Sequence, residues 1–501
     1  MGDMKTIPLL RFTVFLAAAV AGAAAPAAAP DRVFRAGAAT SNITPMLDAF
    51  IGTGRAPAKD VHDELHVRCL ALDNGATRLV FAVVDSVSVP RDVFDEAKRL
   101  IHEATGIPPE HLMMSATHSH SAGNARGANP LDWGVPYPEE EQARLNTLEP
   151  GFSRPLHAYQ RFLVRRIADG VRRALNNLEP ARIGWGAGRV PEHVHSRRWV
   201  LKEGFTAANP FGGRDRSAKS APREQRLRPA GPVNPEVFFI SVQSAAGRPI
   251  ALLANYWLHY VGTRSPAPVF SADYFGVFCD RIQELLGADR QDPPFVGIMA
   301  NGPCGDVGGG NRAPDAPPPP KYGPFEEMKA VAGDVAQEVF RVYQTLSYCD
   351  WVEMKAVVGE VRVKMRQPSS EKRARARRVL ALPASPSRDL AREQDYAQRV
   401  HDSKRWPESL DVILQAFRIG DLGIAAIPFE TFTETGLEIK VQSPFRDTFT
   451  IELANGGYGY MPTPEQHDLG GYESWFGPNR VERQASVTVV AKVLELLAAV
   501  K

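Results

Sequence analysis

Cysteine is scarce in this chain, with four in 501 residues, at positions 69, 279, 304 and 349. Their spacing contains no zinc-knuckle pattern, which excludes a thiolate metal site of that kind. In an exported chain they permit disulfides, but the sequence does not give the pairing, and no chemistry is assigned to them. Net charge is scarce as well. A formal balance of +2 at pH 7, with no signature of a nucleic-acid reader, excludes a nucleic-acid partner. Past the N-terminus no apolar run is long enough to span a bilayer, and there is no internal repeat.

What is present is apolar bulk, 44% of the residues. A chain of this length can bury a large core; it is too long for one minimal domain and suits one elaborated catalytic domain. Lys5 and Arg11 precede an alanine-rich apolar stretch, residues 12–24, and small residues follow at 25–29. These are the parts of a secretory signal. The expectation is a signal peptide over residues 1–29 and a mature protein that is secreted or periplasmic, with an uncleaved anchor as the alternative.

Strand and helix patterns alternate through the rest, which predicts an α/β architecture of mixed sheets with flanking helices. Residues 78–84 read as a buried strand and 91–105 as an amphipathic helix. Residues 237–242 and the strand before His259 read as a hairpin turning at Gly247. Residues 272–286 read as a helix and 295–300 as a strand. A glycine-rich loop at 301–310 and a proline-rich tract ending at Pro320 follow. The arginine-rich stretch from Lys372 to Trp406 reads as a polar surface excursion containing helix. Residues 483–500 close the chain as a helix.

The chemistry is densest in Ser115-Ala116-Thr117-His118-Ser119-His120-Ser121. With the apolar run 112–114 as a strand, alternate residues share a face, and His118 and His120 project together at its C-terminal end. Imidazole is both the commonest nitrogen ligand for zinc and the side chain best suited to proton transfer near neutral pH. A hydrogen-bonded strand end on the surface would use the same residues. Three further apolar runs end alike: 249–258 in His259, 424–429 in Glu430, and 448–455 in a glycine-rich bend that delivers Tyr460. Taken singly, His259 suits a core position and Glu430 a helix cap. Their repeated placement at strand ends points instead to one cleft holding a metal.

In chain order the motifs Ala-Thr-His118-Ser-His120-Ser, Asn255-Tyr-Trp-Leu-His259, Asn301-Gly-Pro-Cys-Gly-Asp306-Val, Pro428-Phe-Glu430-Thr-Phe-Thr and Gly459-Tyr460-Met-Pro-Thr…Gly471-Tyr472-Glu resemble the neutral/alkaline non-lysosomal ceramidase family. The resemblance runs from about Phe34 to Gly477 and implies a single large catalytic domain, residues 34–501. It also implies a zinc amidase that cleaves the N-acyl bond of ceramide into sphingosine and a fatty acid. Carried over residue by residue, it makes His118, His259, Glu430 and Tyr460 the Zn2+ ligands. His120 becomes a neighbouring acid/base group, Tyr472 a substrate-contacting residue and Arg197 a residue that helps hold the substrate.

The residue chemistry agrees with that implication. An amide has a weakly electrophilic carbonyl and a poor leaving group. Its hydrolysis therefore needs a polarised oxygen, a nucleophile and a proton for nitrogen, and zinc supplies the first two. His120 suits the proton transfers, and Tyr472 or Arg197 the oxyanion. Two departures stand out. The family carries a serine directly after Gly-Asp-Val, where this chain has Gly308 followed by Gly309 and Gly310. The chain also stops soon after Tyr472, so the C-terminal immunoglobulin-like domain of longer members is expected to be missing. The expected function is an exported zinc-dependent amide hydrolase acting on ceramide or another N-acyl lipid, in peripheral contact with a membrane. The rivals are an ester or acylated amino sugar hydrolase on the same site, and a zinc-stabilised binding protein without turnover.

Overall fold

Strands that are apolar on both faces must be covered twice, and this chain does so by stacking two sheets face to face with helices outside. The computed structural model describes residues 1–2, 32–52, 57–125, 158–262, 265–383 and 387–501. All but the first two residues of the expected signal peptide lie outside this set. The larger sheet has eight strands: β1 (Arg35–Asn42), β2 (His66–Asp73), β3 (Arg78–Val84), β4 (Leu112–Ala116), β5 (Glu179–Arg189), β6 (Glu236–Ser244), β7 (Pro249–Tyr256) and β8 (Val296–Asn301). Their order is β8-β7-β6-β5-β1-β2-β3-β4. The smaller sheet runs in sequence order through β9 (Met354–Lys364), β10 (Ser409–Ile419), β11 (Leu422–Ile427) and β12 (Asp447–Glu452).

The period of two along each strand sorts its side chains between cores. On β7, Ala251 and Leu253 enter the core between the sheets, while Leu252, Ala254 and Tyr256 enter the core beneath the helices. Phe81 meets Phe417 across the inter-sheet core at 5.2 Å between ring centres, and Phe238 meets Phe449 at 5.0 Å. Helices α1 (Arg91–Thr105) and α2 (Ala158–Asn176) cover the outer face of β1 to β4. Helices α3 (Asp273–Leu285) and α4 (Glu326–Tyr343) cover β6 to β8. The arginine-rich stretch forms α5 (Ser370–Leu380) and α6 (Arg388–Asp402). It is not wholly a surface excursion, because Ala376, Val379, Ala397 and Val400 join the core outside the smaller sheet. After α7 (Thr433–Gln442), α8 (Ala485–Val500) lays Val489, Val493 and Leu497 on that same core.

Three neighbouring pairs are parallel, β3 with β4, β7 with β8 and β11 with β12, and α1, α3 and α7 make the respective crossovers. Parallel pairs end together, which gathers their C-terminal loops. An isolated bridge between Ser115 and Ala454 joins the ends of β4 and β12. Residues Val33–Lys501 form one compact unit, distinct from Met1–Arg32. Among the described residues no helix is long and apolar enough to cross a membrane, and all four cysteines are free thiols.

Candidate metal centre

The two histidines of the Thr117-His118-Ser119-His120 segment are brought together by a loop rather than by strand alternation, because β4 ends at Ala116. His118 adopts φ 72°, a left-handed conformation rare for a residue with a Cβ. The loop is held there on several sides. The His118 N–H donates to the Ser86 carbonyl at 2.9 Å. The Ser119 hydroxyl lies 2.7 Å from an Asp273 carboxylate oxygen, which also accepts from the Ser121 N–H at 3.2 Å.

The His118 ring is fully oriented. Its Nδ1 lies 2.8 Å from the Val87 carbonyl, which assigns the proton to Nδ1 and turns the Nε2 lone pair into the cleft. That Nε2 is 3.6 Å from Glu430 Oε2 and 3.3 Å from His120 Nε2. The His259 ring centre is 4.4 Å from that of His118, and the donor atoms of His118, His120 and His259 all lie within 4.8 Å of one another. Buried His259 has an Nδ1 with no hydrogen-bond partner. Burial, then Arg197 and the neighbouring imidazoles, push its pKa well below the usual value. A neutral imidazole with an unpaired buried nitrogen is free to accept a metal.

The segments that follow β11 and β12 bring Glu430 and Tyr460 to the histidines. The apolar run after β10 stops at Ile427 rather than reaching Glu430, since Pro428 has no N–H for a ladder. Glu430–Thr431 then pairs in parallel with Tyr460–Met461, setting Glu430 beside Tyr460. Glu430 caps no helix: α7 begins at Thr433 with Phe432 at its cap. The Tyr460 ring stacks on His259 at 6.2 Å. Burial, then the Glu430 charge, raise its pKa well above the ordinary phenol value, against the pull of Arg197. Two glycines permit the approach. A Cβ at Gly305 would meet the Glu430 carbonyl at 2.6 Å, and Gly459 turns at φ 83°.

A donor set of imidazoles, a carboxylate and a phenol suits zinc. With bonds of about 2.1 Å, neighbouring ligand atoms on a tetrahedron are about 3.4 Å apart. The separations around His118 Nε2, 3.6 Å to Glu430 and 3.3 Å to His120, fit that edge. His120, expected beside the ligands rather than among them, therefore stands as close to His118 Nε2 as Glu430 does.

Tyr472 and Arg197 both lie beside Tyr460. The Tyr472 ring is 5.7 Å from that of Tyr460, and burial, then the Glu430 charge, push its phenol up to about 12. It remains a donor at neutral pH. Arg197 is 4% exposed, its Nε donates to Glu473 at 2.8 Å and its Nη2 to the Gly305 carbonyl at 2.8 Å. Its guanidinium carbon is 5.4 Å from the Tyr460 ring centre. Arg198 donates to the second Glu473 oxygen at 2.7 Å. Burial works to raise the Glu473 carboxyl, but the two arginines outweigh it and hold it at about 2.

Sequence reading missed Glu473, although it directly follows Tyr472 in a quoted motif. It also missed buried Glu452, whose carboxylate accepts from the Thr431 N–H at 2.8 Å, the Cys304 N–H at 3.3 Å and the Asn301 amide at 3.1 Å. That group ties the loop after β8 to the Glu430 segment. Asp273 carried no local signal at all. The glycine-rich loop lies against Arg197: Val307–Gly308 pairs with His195–Ser196.

The two stacked sheets carry a histidine, carboxylate and tyrosine cluster at their parallel strand ends, on a fold that is similar to that of the neutral ceramidases. The neutral ceramidase from Pseudomonas aeruginosa matches 94% of this chain and 74% of its own, at 16% identity and a TM-score of 0.66. A ceramidase complexed with C2 matches at the same identity and TM-score, over 94% of this chain and 75% of its own. At such identity the likeness shows the fold. No family model and no curated protein matches the chain.

Proposed function

We propose that this protein is a zinc-dependent hydrolase that cleaves an N-acyl amide bond, with ceramide or a related N-acyl lipid as leading substrate. The observation that carries this reading is the oriented His118 Nε2 lying 3.6 Å from Glu430 Oε2, beside the unpaired Nδ1 of His259. The proposed ligands are His118, His259, Glu430 and Tyr460. Zinc bound there supplies Lewis acidity toward the acyl carbonyl and a more acidic water.

The side chains then divide the work. Gly308 offers no hydroxyl, so water is the nucleophile. His120, half-buried at the cleft, takes a proton from that water as its oxygen adds to the carbonyl carbon. It returns the proton to nitrogen as the C–N bond breaks, leaving a carboxylate and an amine. The neutral Tyr472 phenol donates to the oxygen that gains charge. Arg197 holds Tyr460 in place, being itself fixed by Glu473. A second reading puts His120 in the shell in place of an oxygen donor, favoured by its 3.3 Å separation from His118.

The fold relationship to a ceramidase supports a lipid amide as substrate, and the apolar N-terminal stretch supports export. Metal analysis of the purified protein, followed by mass-spectrometric screening against N-acyl lipids and simple esters, tests the proposal. Stoichiometric zinc and EDTA-sensitive release of fatty acid are expected. A zinc-loaded protein that turns over no amide and no ester would leave the binding-protein reading in its place.

A further inference from the structure

Around Arg197 and Arg198 stands a group of cations, four of which (Lys219, Arg223, Arg226 and Arg312) make no ion pair among the described residues. Ser217–Ala218 pairs with the strand Trp199–Leu201, with Ala218 opposite Trp199. Lys219 therefore leaves that ladder next to Arg198 and Arg197. It is half-buried, and among the described residues it meets no carboxylate at ion-pair distance. From the opposite side, the Gly308-Gly309-Gly310 run leads to exposed Arg312. The main-chain oxygen of Arg312 accepts from Arg226, whose guanidinium lies 5.6 Å from the Trp199 ring centre. Arg223 caps the Ala316 carbonyl at 2.8 Å. None of Arg223, Arg226 and Arg312 pairs with a carboxylate among the described residues.

Holding like charges together is unfavourable unless an anion joins them. The strain registers on the groups themselves. Arg197 above all, then burial and Arg312, hold the Lys219 ammonium down at about 8 against the pull of Glu473, and burial with Arg312 and Arg223 lowers Arg226 against the pull of Glu224. Glu473, set between the arginines, is already shared by Arg197 and Arg198. The neighbouring loop leaves room. A Cβ at Gly310 would meet nothing within 4 Å, and one at Gly309 nothing closer than 3.9 Å.

We propose that this site takes an N-acyl substrate whose amine half carries an anionic group, held by Lys219 and Arg312 beside the bond that is cut. The acyl half of a lipid amide is apolar, so the charge belongs to the amine half. The inference rests on the hydrolase reading and narrows it from ceramide, whose head group is neutral, to N-acyl amino acids or N-acyl amino phosphates.

Matched pairs test it: N-lauroylglycine against N-lauroylglycinamide, and N-lauroylphosphoethanolamine against N-lauroylethanolamine, with laurate release followed for each. The two pairs separate a carboxylate source from a phosphate source. In at least one pair the anionic member is expected to have a kcat/KM about tenfold higher, as one discriminating ion pair of about 1.4 kcal/mol would give. Lys219→Gln should shrink that ratio through KM, with zinc content and melting temperature reporting an intact site. Equal rates for both members overturn the inference. So does a preference that survives Lys219→Gln, because the metal rather than the lysine would then hold the anion. If no amide is turned over, calorimetric binding of the same pairs decides. Tighter anion binding that is lost in Lys219→Gln upholds the inference while the hydrolase reading fails, and equal binding overturns both.

Discussion

Glu430 Oε2 lies 3.6 Å from His118 Nε2, two groups delivered by different sheets and both nearly sealed from solvent. The separation is too long for a hydrogen bond and matches the edge of a zinc tetrahedron. The first expectations concern what sits between them.

His118→Ala should lose zinc and activity together, because it removes a donor whose other nitrogen is anchored on Val87. His120→Ala should keep zinc and lose mainly turnover, by the roughly 100- to 10,000-fold that general acid–base catalysis contributes. Zinc stoichiometry by mass spectrometry beside kcat decides. Equal zinc loss in both variants places His120 in the shell.

Removing the metal should lower stability reversibly. A ligand that binds only the folded state adds about 2.7 kcal/mol at a free concentration one hundred times its Kd. Thermal melts before and after EDTA, and again after zinc is restored, should show a fall and a recovery. A melting temperature indifferent to EDTA and zinc removes the metal from the account of this cleft.

Glu473→Gln should leave Arg197 and Arg198 buried without a counter-charge, a loss of about 3–5 kcal/mol. The sign with pH follows from the depressed carboxyl, at about 2 against an ordinary 4.5. The folded state holds fewer protons than the unfolded chain in that interval. The stabilisation is therefore fully present above about pH 4.5 and lost as pH falls toward 2, on the order of 3 kcal/mol in all. Urea melts from pH 6 to pH 3 should fall more steeply for the wild type than for Glu473→Gln. Parallel curves would contradict the assignment.

Gly308→Ser should fold. Gly308 is absent from the left-handed positions, and its added Cβ would sit 3.4 Å from the Arg197 Cβ, an ordinary contact. Stability should change by no more than about 0.5 kcal/mol, and zinc content should hold while substrate preference shifts. Water as the nucleophile is the wrong mechanism if the zinc-loaded wild type is inert on every amide and ester and Gly308→Ser gains turnover.

Much of this protein was legible before folding was considered. Buried strands announce themselves as apolar runs, amphipathic helices as a period near 3.6, and both periods are local properties of the chain. The strands β3, β7, β8 and β11, the hairpin at Gly247 and the helices α1, α3 and α8 accordingly lie within a few residues of their expected positions. The candidate donors stood out for the same reason, each following an apolar run. Tertiary structure alone decided what non-local contacts decide. The left-handed turn at His118 depends on Ser86 and Asp273, and the approach of Glu430 to His118 depends on the smaller sheet stacking on the larger. The burial of Arg197 depends on Glu473, from a distant loop, being there to neutralise it. A charge leaves water only with a partner, and which partner arrives is set by the packing of the layers, not by the neighbours in sequence.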